Sequence, residues 1–251
     1  EMDIPAMRRA FKALIARHAA LHPTYAVQSG EPVQEVHGFQ EAAFEEVEAS
    51  GWDENTLVEQ TAASYQRPFD LERGPVTRLT LFSRSAVDHV LQMVVHHIAV
   101  DGWSLGILID ELQALYVAET TGVLVLPPPT VQYVDFVNWQ RELLAGPEGE
   151  RLRSYWLQKL SGDPSTLPPV AGQALPTLNL PTDKPRPPLQ TYQGATCDFN
   201  LNEKLTQQLR ALARAERATL YTVLLAAFQT LLHRYTGQDD ILVGSPMVGR
   251  S

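Results

Sequence analysis

Apolar residues near the start of the chain recur at helical spacing: Met7, Ala10, Phe11, Leu14, Ile15 and Leu21, with His18 on the same stripe. The pattern predicts a helix closed by Pro23, because the residue before a proline is pushed out of the helical region. TYAVQ and PVQEV then flank Ser29-Gly30-Glu31, a hairpin signature. Asp53 to Asn55 offers a cap for a helix that reaches Gln66. VTRLTLFS (76–83) and HVLQMVVHH (89–97) predict two paired strands joined by a turn over 84–88. The second is apolar on both faces and is expected at the centre of its sheet. Leu105, Leu108, Ile109, Leu112, Leu115 and Tyr116 share one stripe, which predicts an amphipathic helix with Ser104 as a candidate N-cap. After Pro127-Pro128-Pro129, VQYVDFVNWQREL and LRSYWLQKL read as two further helices.

Residues 161–190 hold 8 of the 18 prolines, too dense for a packed helix or a central strand, so this stretch reads as a linker and domain boundary. Beyond it TYQGATCDFNL predicts a strand. LTQQLRALARA, capped near Asn202, and TLYTVLLAAFQTLLHRY, started at Thr219 and closed by Gly237, predict helices. DDILVGS predicts a short buried strand, with Asp239-Asp240 as its turn and cap. Alternation of strands and helices indicates an α/β class of layered sheets and helices.

Composition narrows the function classes. The 251 residues carry a net charge of −9 and no Lys/Arg cluster beyond short pairs such as Arg8-Arg9, which argues against nucleic acid as a partner. No apolar run reaches membrane-spanning length. The N-terminus starts inside a helical pattern and is not a signal peptide. Cys197 is the only cysteine, so an internal disulfide and a thiolate metal cluster are both excluded, and a reducing, cytoplasmic setting is expected.

The chemistry concentrates in HHIAVDGWS (96–104). Neighbouring strand residues point to opposite faces, so His97 is expected to share a face with Leu91, Met93 and Val95, and His96 with Val90, Gln92 and Val94. Two diverging imidazoles cannot hold one metal ion, and no H-E-x-x-H or cysteine ligands accompany them. Ser104 and Ser245 lack the G-x-S-x-G elbow of a serine hydrolase. A histidine acting as general base at a strand end, beside an aspartate that fixes a tight turn at Asp101-Gly102, is the remaining reading; two satisfied structural histidines are the bland one.

This stretch resembles the HHxxxDG signature of condensation domains in nonribosomal peptide synthetases. Four more stretches resemble motifs of the same family in the same order: RHAALHPTY (17–25), VQYVDFVNWQ (131–140), LNLPTDKPRP (178–187) and RYTGQDDILVGSPMVGR (234–250). The resemblance implies a chloramphenicol acetyltransferase-like fold: two α/β lobes in a V, enclosing a tunnel. It places the N-terminal lobe at 1–177, the linker at 178–190 and the start of the C-terminal lobe at 191–251. It implies amide formation between a donor acyl thioester and the amine of an acceptor aminoacyl thioester. Both are carried on phosphopantetheine arms of partner carrier proteins, with an adenylation domain adjacent and no cofactor or metal bound directly.

By the same resemblance His97 is the catalytic histidine, as base or by positioning the amine. His96 is structural. Asp101 makes a structural ion pair for which Arg250 could supply the partner. Gly102 lets the backbone pass close to the tunnel, and Trp103 and Ser104 are candidates for its wall. One departure stands out: the family's Leu-Arg-Thr is Leu21-His22-Pro23, which puts the bracing of Asp101 in doubt, since histidine is often neutral where arginine is always charged. The chain is expected to be a fragment that condenses nothing alone. Heterocyclisation domains are disfavoured by His96, and epimerisation domains by Trp103-Ser104-Leu105-Gly106. Two alternatives stay open: a catalytically silent module that binds carrier proteins or recruits an enzyme, and a standalone coenzyme A-dependent acyltransferase.

Overall fold

The computed structural model describes residues 1–36, 43–123, 126–160, 177–189, 191 and 194–247. The chain divides into two compact units, Glu1–Arg151 and Leu152–Ser251. The first opens with α1 (Ile4–Arg17), whose N-cap Asp3 accepts the Ala6 N–H at 2.8 Å. The helix ends at Arg17, earlier than Pro23 predicts. A short 3-10 turn, Ala19–Leu21, follows, and Pro23 instead opens strand β1 (Pro23–Gln28). β1 pairs antiparallel with β2 (Glu31–Val36), Gln28 opposite Glu31. The two-residue turn between them has positive φ at both Ser29 (54°) and Gly30 (84°), the conformation that matches the twist of a hairpin.

A strand that the hydrophobic pattern does not announce comes next: in β3 (Ala43–Glu48) Phe44 is buried, while Glu46 and Glu48 further along its face are exposed. Helix α2 (Glu54–Gln66) carries the chain to β4 (Thr77–Ser83), parallel to β3, and β5 (His89–Val95) returns antiparallel. The order β3-β4-β5 makes β4 the central strand of the described sheet and β5 its edge, which corrects the expectation from apolarity. Both faces of β5 are apolar because helices cover both faces of the sheet, and that does not require a strand on each side. Phe44, Leu79 and Leu81 pack with Met7, Phe11 and Leu14 of α1 and with Leu108 and Leu112 of α3 (Gly102–Thr121). On the other face Phe82 joins Ala49 and Leu57, against Trp52 and Val90. Helix α4 (Tyr133–Ala145) follows, and α5 (Pro147–Leu160) runs across the division between the units.

The second unit contains α6 (Glu203–Ala215) and α7 (Leu220–Thr236), capped by Asn202 and Thr219 and closed at Gly237 in the left-handed region. The predicted strands over 191–201 and 239–245 are absent among the described residues, which run there without ladder pairing. A strand exists only against a partner, and the described part of this unit contains no strand to pair with. Leu178 to Leu189 has neither helix nor strand. Gln238 ties that segment to the end of α7: its side chain accepts the Asn179 N–H at 2.8 Å and donates to the Thr177 carbonyl at 3.1 Å. No helix among the described residues is long and apolar enough to cross a membrane.

Candidate active site

Strand β5 stops at Val95, so the alternation of faces does not extend to His97 as the sequence pattern suggests. The His96 N–H still donates to the Val76 carbonyl at 2.8 Å, continuing the β4 pairing by one bond. A tight turn then takes over. The Ala99 N–H donates to the His96 carbonyl at 3.0 Å, and the Ile98 N–H donates to His96 Nδ1 at 3.1 Å. An imidazole that accepts at Nδ1 is unprotonated there, so the geometry selects the Nε2–H tautomer of His96. Its ring is half-buried and meets Phe69 edge-to-face at 5.8 Å and 89°. His97 stands at the second position of the turn, exposed. The two imidazoles are therefore separated by the turn and not by strand pleat.

Asp101 is the N-cap of α3, three residues earlier than the Ser104 expected from sequence. Its Oδ1 accepts the Ser104 N–H at 2.8 Å and the Ser104 hydroxyl at 2.6 Å, which satisfies an orphan donor of the first helical turn. The Ser104 hydroxyl is thereby engaged with Asp101. Gly102 and Trp103 form the exposed start of the helix, with Trp103 69% exposed. Arg250 lies outside the described residues.

His22, the departure from the family pattern, is 8% exposed, and its Nε2 donates to the Ile15 carbonyl at 2.5 Å. That carbonyl belongs to the last turn of α1 and also receives the His18 N–H at 3.2 Å. His22 thus helps to close α1. The neighbouring motif residues dock this helix end. Arg17 and His18 reach Glu111 of α3 at 3.0 and 2.5 Å. The Gln132 side chain accepts the Ala19 N–H at 3.1 Å and donates to the Arg17 carbonyl at 3.2 Å. Gln132 also caps α4 reciprocally with Asp135. Burial, with Tyr133 nearby, raises the Tyr25 pKa above the usual phenol value. Two of the sequence motifs, 17–25 and 131–140, are in this way joined at the end of α1 and the start of α4, and the first also docks on the middle of α3 through Glu111.

Two residues that sequence reasoning passed over stand behind His96. Arg78 is buried in β4, and its guanidinium donates to the carbonyls of Arg67 (2.5 Å), Pro68 (3.1 Å) and Ser64 (3.5 Å). Its carbon lies 4.0 Å from the centroid of Phe69, over the ring. Burial lowers its pKa from the ordinary arginine value, Arg67 adds to the lowering and Glu45 opposes it. A lone charged residue in a strand of apolar and threonine residues, VTRLTLFS, was the available signal. In the second unit Asp239 lies 3.3 Å from His233 Nδ1, and no group of three or more metal-ligating side chains forms among the described residues.

A family model described as Condensation domain matches residues 1–251. Tyrocidine synthase 3 of Brevibacillus parabrevis is 40% identical over 242 residues, covering 96% of this chain and 3% of that protein. Surfactin synthase subunit 1 of Bacillus subtilis (strain 168) is 36% identical over 251 residues, covering 100% of this chain and 6% of the relative. The solved X-domain from teicoplanin biosynthesis superposes with a TM-score of 0.79 at 26% identity, covering 94% of this chain and 50% of its own. The epimerization domain from the third module of tyrocidine synthetase B gives 0.78 at 23% identity, covering 94% and 52%, a likeness of fold. The chain therefore spans a few per cent of these curated relatives and about half of these solved neighbours. Its fold is that of condensation domains, and with one family model running its full length the chain belongs to the condensation-domain family of nonribosomal peptide synthetases.

Proposed function

We propose that the parent domain joins a donor acyl thioester to the amine of an acceptor aminoacyl thioester, both delivered on phosphopantetheine arms of carrier proteins. The acceptor nitrogen attacks the donor carbonyl carbon, a C–N bond forms, the C–S bond breaks, and the donor arm leaves as a thiol. The amine proton must move to solvent or to that sulfur, and His97 is the group assigned to accept or steer it. The observation that carries this reading is the exposed His97 imidazole on a turn whose other histidine is tied down on both backbone and ring. An arm carried by another protein can reach a side chain only where it is exposed. Asp101, as helix cap, and Gly102 shape the turn beside it; Arg250 remains the proposed ion-pair partner of Asp101. Trp103, exposed at the start of α3, is the better candidate for a substrate wall, since the Ser104 hydroxyl is engaged. No metal takes part in this scheme. The partners are the two carrier proteins and an adenylation domain in the same synthetase, in the cytoplasm. We take the N-terminal lobe as residues 1–177, the linker as 178–190 and the start of the C-terminal lobe as 191–251.

His97→Ala in the full-length domain, assayed with both carriers loaded, tests the reading. The rate of amide formation is expected to fall about 10²- to 10⁴-fold, the usual contribution of a positioned acid or base. An unchanged rate overturns it. A second reading, a silent recruiting module, is favoured by the likeness to the teicoplanin X-domain, a protein also solved in complex with OxyB. The presence of HHIAVDG in this chain weighs against that reading, and the same His97→Ala measurement separates the two.

A further inference from the structure

A guanidinium is expensive to bury, and an apolar side chain of similar length would fill the same space in β4 at lower cost. Among the described residues the contacts of Arg78 are carbonyls and a ring, with no carboxylate in ion-pair range. The three carbonyls belong to the C-terminal end of α2 and the residues just after it, where the helix dipole favours a cation. One planar group therefore fixes the chain from Ser64 to Pro68, and the next residue is Phe69. With Arg78 over its face, the Phe69 ring has a set orientation, and that ring abuts His96. His96 in turn supplies the Nδ1 acceptor that closes the turn carrying His97.

We propose that Arg78 and Phe69 are positioning residues for His97, acting through His96. The proposal rests on the reading of His97 as the group at the reacting centre. Neither residue touches substrate; together they fix the ring orientation of His96 on which the turn depends. Exposed turns are otherwise free to sample several geometries, and a displacement of about 1 Å at a reacting centre can cost about 10²-fold in rate.

The test uses the full-length domain with loaded carriers, comparing wild type, Phe69→Leu, Phe69→Tyr, Arg78→Lys and His97→Ala. Phe69→Leu is expected to lower the single-turnover rate about 10- to 100-fold while the KM for the acceptor carrier stays put. Phe69→Tyr keeps the ring and is expected to stay within about threefold of wild type. In ¹⁵N-histidine spectra the His97 ring signals are expected to shift in Phe69→Leu and not in Phe69→Tyr. A wild-type rate in Phe69→Leu, equal losses in the Leu and Tyr variants, a loss confined to carrier KM, or unmoved His97 signals each overturns the proposal. Should Phe69→Leu not fold, Arg78→Lys decides. It keeps the charge and loses the three-carbonyl fork, so a slowed rate supports the proposal and a wild-type rate overturns it. Full activity in His97→Ala would instead remove the catalytic reading itself.

Discussion

At the scale of single residues, the motif Asp101 acts first as a helix cap. Replacing it by alanine removes the acceptor for the Ser104 N–H and hydroxyl. Chemical denaturation of Asp101→Ala is expected to show a loss of about 1 kcal/mol, and Asp101→Asn should recover that capping share. His22 makes the comparable point about a departure from the family pattern. Its Nε2–H serves the Ile15 carbonyl from a buried position, so His22→Ala is expected to cost about 1–3 kcal/mol by the same measurement. The residue that stands where arginine is usual thus has a defined local task at the end of α1. Both tasks involve side chains whose types were visible in the sequence. The partners were not, because Ile15 lies seven positions from His22 and only the folded turn brings them together.

At the scale of elements, β4 carries the fold. It is flanked on both sides by strands and covered on both faces by helices, so Leu79→Ala at its centre is expected to lose about 2–5 kcal/mol in an unfolding experiment. Helix α2 carries a pH signature. Hydrogen bonding from Thr56, first by its side chain and then by its N–H at 2.7 Å, holds the Asp53 carboxylate pKa below the usual 3.8. A depressed carboxylate pKa stabilises the folded chain above the unfolded-state value, and the stabilisation fades as pH falls through the folded-state value. Thermal melts should therefore show wild type and Asp53→Asn running parallel at neutral pH. Below about pH 4 only wild type should lose this capping contribution, because asparagine keeps the acceptor without titrating. The elements legible in sequence were those with strong periodicity, caps or an apolar run: α1, α2, the β1–β2 hairpin, the β4–β5 pair, and helices α3 to α7. β3 was missed because Phe44 shares its face with Glu46 and Glu48, which breaks any apolar alternation, and its existence depends on pairing with β4.

At the scale of the whole molecule, two compact units share one chain, and many large apolar side chains remain exposed, among them Trp103, Trp139, Phe199 and Phe228. Exposed apolar surface of this extent binds hydrophobic dyes and promotes association. The isolated 251-residue polypeptide is therefore expected to bind anilinonaphthalene sulfonate in its folded state and to self-associate with rising concentration in analytical ultracentrifugation. The chain covers about half of each solved neighbour described above, so under the proposed function the 251-residue polypeptide incubated with loaded carriers is expected to yield no amide product.

The sequence alone determined the class of fold, the order of the main elements and, through five ordered motifs, the family. These rest on periodicity, capping and local residue identity, all of which are written along the chain. Tertiary structure alone decided which strand is central, that the strand ends before the histidine pair, and that Asp101 rather than Ser104 caps α3. It also decided that a buried arginine and a phenylalanine stand behind His96. Each of these depends on hydrogen-bond partners and ring contacts, the long-range ones set by packing between segments distant in sequence, and no local pattern records which groups will meet.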